Sequence, residues 1–302
     1  MLIVLEQILY LLIFAAIGFA LCATKLVQPH TTKLLSTLGV YVFLPATIFR
    51  SFAGKCTPEN LAQKYPLMLV SIGVLAVVAL LAYAASRWLI KEEYKEKLIW
   101  YSLTIANYAY IGYPLVEGLF GADALFDVLI FALPMSLFTN TVGFCRLTKQ
   151  KLNLKRLLNP PILAAILGII VGLSGIPLPT VLNSVISNAA ACIAPNCMLL
   201  TGMVISEYHL GTLLKRPETY LISVLRLVVI PGAIALVLHL LKLDFAILPV
   251  LITYGMPCGM NTIVFPRLIG EDCLPGASLL FVSTALSALT IPLLFTLFGG
   301  LI

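Results

Sequence analysis

The chain has 302 residues, of which 61% are hydrophobic and 11% charged, with a mean hydropathy of +1.05. A soluble domain is about half apolar and a quarter charged, so a water-soluble globule is excluded. The formal charge of +6 does not indicate a nucleic-acid partner, because the basic residues sit in short stretches between apolar runs and form no single stripe.

A transmembrane helix needs roughly 20 mostly apolar residues to cross a ~30 Å hydrocarbon core. Long apolar runs bounded by charge, Pro or Gly predict ten spans, near 3–24, 34–53, 66–88, 98–120, 124–145, 160–175, 180–205, 219–241, 246–268 and 275–299. The first run carries Glu6 where a signal peptide has a basic stretch, and it is longer than a signal h-region, so it is expected to be a retained helix. Lys and Arg divide unevenly among the loops. The odd loops hold 14 of the 19 basic residues and the even loops 4: Arg50, Lys55, Lys64 and Lys242. Arg226 lies inside a span. The positive-inside rule then puts the odd loops in the cytoplasm and both termini outside.

The longest basic loop, around Arg146–Leu158, separates five spans from five. An odd number of spans in each half means that two similar halves would face opposite ways, the arithmetic of an inverted-repeat transporter. The expected division is a first repeat at 1–150, a cytoplasmic basic linker at 151–158 and a second repeat at 159–302, within one membrane domain. Gly121-Ala122-Asp123 at the end of the fourth span has a faint counterpart in Gly270-Glu271-Asp272 at the end of the ninth.

Two spans carry unusual polar interruptions. The fourth reads Asn107-Tyr108-Ala109-Tyr110-Ile111-Gly112-Tyr113-Pro114, and the ninth reads Gly255-Met256-Pro257-Cys258-Gly259-Met260-Asn261-Thr262. Proline inside a helix frees carbonyls, and paired interruptions at matching places in two halves point to a midplane binding site. Half-helix N-termini there would favour an anion. Pro45, Pro134 and Pro231 lack that combination with Asn and Gly, and at Pro195 only Asn196 is adjacent, with the nearest Gly seven positions on. Asn196 and Thr47 are equally well explained by helix–helix hydrogen bonds. Arg226 is costly inside a span, so it should meet a partner or a water-filled cavity, or else snorkel to the cytoplasmic surface. Glu6, Glu117 and Asp127 are expected at the membrane interface.

Enzyme chemistry finds little footing. Asp123, Asp127, Asp244 and Asp272 lie at or near span ends, and His30, His209 and His239 lie in loops or near a helix end. No pair of facing intramembrane acids emerges, so an intramembrane hydrolase is disfavoured. The seven cysteines show no CxxC pair and no His at metal spacing, and most, lying inside apolar runs, are read as small buried side chains. No metal site or cofactor is expected. A channel would show a filter segment or a ring of charge, and neither is present.

The fourth-span segment from Asn107 to Pro114, followed by Gly121 and Asp123, resembles the Asn…Gly-x-Pro signature of the auxin efflux carrier family, which includes plant PIN-type carriers and bacterial organic-acid permeases. Asn159-Pro160-Pro161, Gly168, Gly172, Pro177-Leu178-Pro179, Ala194-Pro195, Gly202-Met203, Pro257 through Asn261, Gly270, Asp272, Ala277-Ser278 and Ser283-Thr284 extend the resemblance over nearly the whole chain. It implies an all-α polytopic fold of ten transmembrane helices, in two inverted five-helix repeats with crossed, broken fourth and ninth helices. The first, second, sixth and seventh helices would form a scaffold, and the other six a moving transport domain. Substrate would bind beside the crossing, which maps onto Asn107, Tyr110, Gly112 and Pro114, onto Pro257, Cys258, Gly259 and Asn261, and onto Arg226. The short central loop is similar to that of bacterial-type members and makes auxin an unexpected substrate. The implied function is secondary transport of a small organic anion by alternating access, in the plasma membrane. A sodium-coupled carrier of the bile-acid type is the alternative. Implied partners are the lipid bilayer, the organic anion and a proton or sodium ion for coupling, with a homodimer left open.

Overall fold

The structure, a computed structural model, describes residues 2–28, 31–153 and 157–302. His30 and, in the basic linker, Lys155 and Arg156 lie outside the described residues. Apart from one isolated backbone bridge, every regular element among the described residues is helical. In chain order these are α1 (Leu2–Ala23), α2 (Thr31–Lys55), α3 (Pro58–Leu89), α4 (Glu93–Thr104), α5 (Tyr108–Thr148) and α6 (Pro160–Ser174). Then come α7 (Thr180–Ser206), a short helix at Leu210–Leu214, α8 (Pro217–Leu240), α9 (Asp244–Tyr254), α10 (Asn261–Leu268) and α11 (Leu274–Leu301). Seven of these, α1, α2, α3, α5, α7, α8 and α11, are long and apolar enough to cross a membrane, and α6 and α9 are shorter apolar helices.

Local sequence sets several of the boundaries. The Thr57 side chain accepts from the Asn60 N–H at 3.1 Å, and Asn159 accepts from Ile162 N–H at 3.0 Å. Each cap is followed by Pro at the first helical position, where its missing N–H costs nothing. The Thr57 cap starts α3 eight residues before the expected position 66, because Pro58–Tyr65 is helical but too polar to read as part of a span. At Gly121 the chain turns with no intervening loop. Its φ of 82° is one that only glycine adopts at little cost, and it divides α5 into two helical stretches.

The most extensive packing joins α1 to the second half of α7, and the second half of α2 to α6. Both contacts bring backbones together through glycine. Gly202 of α7 faces the main chain of Ala15 and Phe19, and Gly18 of α1 faces that of Leu199. Gly168 and Gly172 of α6 face Phe49, Phe52 and Cys56 of α2. Helices in lipid gain by such close approach, since no hydrophobic effect drives them together. Large apolar side chains face outward, among them Leu80, Leu81 and Trp88 of α3, Ile170 of α6 and Leu289 of α11. That surface suits hydrocarbon, not water. Buried apolar side chains from α4, α5, α9 and α11 form the core around the two helix breaks.

Candidate binding site at the helix crossing

Helix α4 stops at Thr104, and α5 starts at Tyr108 after three non-helical residues. Helix α9 stops at Tyr254, and α10 starts at Asn261 after six. The second break follows from Pro257, which has no N–H and disfavours helical geometry at the residue before it. The two breaks lie against each other. Ala106 and Cys258 form an antiparallel bridge, and the Asn107 N–H donates to the Pro257 carbonyl at 2.8 Å. From α11, the Ser283 hydroxyl accepts from the Cys258 N–H at 3.0 Å. Backbone groups freed by the breaks therefore find partners in each other, as a non-aqueous interior requires.

The first break falls at 105–107, upstream of the Gly112–Pro114 pair. Pro114 instead occupies the first α-helical turn after a π turn, Tyr108–Gly112, where its missing N–H is tolerated. Gly112 serves a close approach: a Cβ there would come within 3.1 Å of the Ile252 carbonyl of α9.

Arg226 sits in a π turn of α8, Leu225–Val229, and is fully buried. Snorkelling is therefore not its role. Its Nη1 donates to the Leu103 carbonyl at 2.8 Å, Nη2 to Thr253 at 3.4 Å and Nε to Met256 at 3.4 Å. Leu103 and Thr253 belong to the last turns of α4 and α9, where carbonyls lack helical partners and the dipole is negative. The guanidinium also lies 5.8 Å from the centre of the Tyr254 ring. Among the described residues no carboxylate pairs with it.

On the other side of the crossing, where α5 and α10 begin, lies a cavity of about 290 Å³. Of the sequence-predicted site residues, Asn107, Tyr110, Gly259 and Asn261 line it. Gly112, Pro114, Pro257, Cys258 and Arg226 do not, and the last three are buried within the crossing itself. The Asn261 amide donates to the Tyr101 hydroxyl at 3.0 Å. Asn107 is 4% exposed, and its Nδ2 has no hydrogen-bond partner. Among the described residues, none that lines the cavity is charged.

Sequence reasoning missed Tyr101 of α4, and Ser136 and Asn140 of α5, which also face the cavity. The available signal was the polar run Thr139-Asn140-Thr141, which forms a further π turn inside an otherwise apolar helix. Charged groups lie elsewhere. Arg50 of α2 pairs with Glu117 of α5, Lys55 pairs with Asp123 at 2.7 Å, and Lys64 of α3 pairs with Asp127 at 2.7 Å. Arg267 of α10 pairs with Glu207, just past α7, at 2.8 Å.

The profile of a family described as membrane transport protein matches residues 3–145 and 140–295. An uncharacterized transporter of Methanocaldococcus jannaschii is 24% identical, over 95% of this chain and 96% of its own length. An uncharacterized transporter of Methanothermobacter thermautotrophicus is 23% identical, again over 95% of this chain and 96% of its own length.

Proposed function

The chain belongs to the membrane transport protein family, the auxin efflux carrier family its motifs resemble, and from that premise we propose that it is a secondary carrier of a small organic anion. The observation that carries the anion assignment is the Asn107 amide, buried and unpartnered at a cavity on which two helices begin. Helix starts carry unpaired N–H groups and a positive dipole end, and among the described residues no acidic side chain lines the cavity to repel an anion. A cavity of about 290 Å³ fits a small mono- or dicarboxylate. Its aromatic lining, with Tyr101, Tyr108, Tyr110 and Tyr113, would hold the apolar part of the molecule.

Ten spans in two inverted repeats, at 1–150 and 159–302 around the 151–158 linker, account for the architecture. In this assignment α4 and the first stretch of α5 form one broken span, the rest of α5 another, and α9 with α10 a third. The packing supports it: α1 lies on α7 as α6 lies on α2, the exchange that a two-fold relation between halves requires. These four helices form the scaffold, and the rest form the transport domain. With the odd loops cytoplasmic and both termini outside, the cavity reaches Asn159 beside the basic linker and faces the cytoplasm. The transport domain rocks against the scaffold to expose the site alternately. That motion has to break the Arg50–Glu117 and Lys55–Asp123 pairs, which link α2 to α5. Partly exposed pairs cost about 0.2–1 kcal/mol each, a barrier readily crossed.

The test is a thermal-shift screen of the reconstituted protein against small mono- and dicarboxylates, followed by counterflow transport of any hit. A carboxylate should raise Tm in wild type and lose that effect in Asn107→Ala. Stabilisation by organic cations alone, or an Asn107→Ala protein that responds like wild type, would remove the anion site from the crossing.

A further inference from the structure

We propose that Arg226 is a built-in cation, fixed where the negative ends of the two broken helices converge, so that the carrier works without sodium. This rests on the alternating-access reading above and concerns what that reading leaves open, the coupling ion.

In carriers built on discontinuous helices, unwound carbonyls and half-helix C-termini are the groups that coordinate a coupling cation. Here the carbonyls of Leu103, Met256 and Thr253 come from those places, and all three accept from one guanidinium. The cation is covalently part of α8 and shielded from solvent. It is also separate from the substrate cavity, since Arg226 is not among the residues lining it. Arginine suits this position because its charge is permanent and its planar fork reaches several acceptors at once. A sodium ion entering the same carbonyl cluster would meet a like charge at close range in a dry interior, where repulsion is poorly screened. The guanidinium thus neutralises both negative helix ends throughout the transport cycle, and no ion has to be taken up or released there. A sodium-coupled mechanism would need these carbonyls free.

The experiment measures Tm of the full-length protein in lipid nanodiscs, in sodium chloride and in choline chloride at equal ionic strength. No substrate is needed, so failure of the anion assignment and failure of this one are seen separately. Wild type and Arg226→Lys should melt at the same temperature in both salts. Arg226→Ala should melt lower in choline, and sodium or ethylguanidinium should restore about 2–4 °C or more by filling the vacated site. A sodium-specific rise in wild type would overturn the proposal. So would an Arg226→Ala protein that melts equally low in all salts, which would mean that the side chain only fills space. If the alanine variant does not fold, the lysine variant decides: equal melting in both salts supports the proposal, and sodium-specific stabilisation overturns it.

Discussion

The two sides of the crossing are made from the same two interrupted helices, yet they are chemically opposite. On one side two helices end, and their carbonyls accept from a buried guanidinium in a packed interior. On the other side two helices begin, at a cavity with no charged lining among the described residues and with the Asn107 amide left without a partner. A helix break by itself therefore marks no binding site. What distinguishes the two faces is that one is closed around a hydrogen-bonded guanidinium, whereas the other opens on a cavity where an unpaired amide donor is costly until something arrives to accept from it.

Substitutions on each side should separate these roles. The largest effect is expected from Arg226→Met, which leaves three buried carbonyls without donors and should cost about 3 kcal/mol or more in a nanodisc melt. A Tm within a degree of wild type would mean that the negative helix ends need no neutralising charge. Asn107→Ala should act in the reverse sense. It removes a donor that is unpaired in the empty protein, so stability is unchanged or slightly raised, while carboxylate affinity falls about 10–100-fold in calorimetry. A matching loss of stability would show that the amide has a structural partner. Asn261→Ala should combine both effects at smaller scale: about 1 kcal/mol of stability, because the hydrogen bond to Tyr101 is removed, and a roughly tenfold weaker carboxylate response. Saturable transport should then need about tenfold more substrate to reach half its maximum, with insertion intact. Tyr101→Phe should reproduce the stability loss of Asn261→Ala, and the double variant should lose no more than either alone, the signature of a single shared hydrogen bond.

Much of this was legible in the residues, though unevenly. Asn107, Pro257, Gly259 and Asn261 announce themselves, because Asn, Gly and Pro together are poor company for a membrane helix interior. Gly112 and Pro114 belong to the same stretch but serve packing and helix initiation, since a proline just after a break is as compatible with helix as one within it is not. Arg226 stood out as a costly charge, but its partners are main-chain carbonyls, which every residue carries and no side-chain pattern can flag. Ser136 and Asn140 were hidden for a different reason. The run Thr139-Asn140-Thr141 marks an irregular stretch of the helix, but only the three-dimensional path of α5 brings Ser136 and Asn140 to the cavity. Likewise the glycines facing α1 and α2 identify close approaches only once the opposing main chain is in view.

The π turn at Leu225–Val229 gives α8 one residue more than a regular helix would hold over the same rise. Such a turn behaves as a one-residue insertion, so its removal would return the helix to regular pitch and swing the residues on one side of it by about 100° relative to the other. Arg226 lies within that insertion. Its aim at the crossing is thus a matter of counting as much as of chemistry: a chain shorter by a single residue here could keep its arginine and still point it at the wrong neighbours.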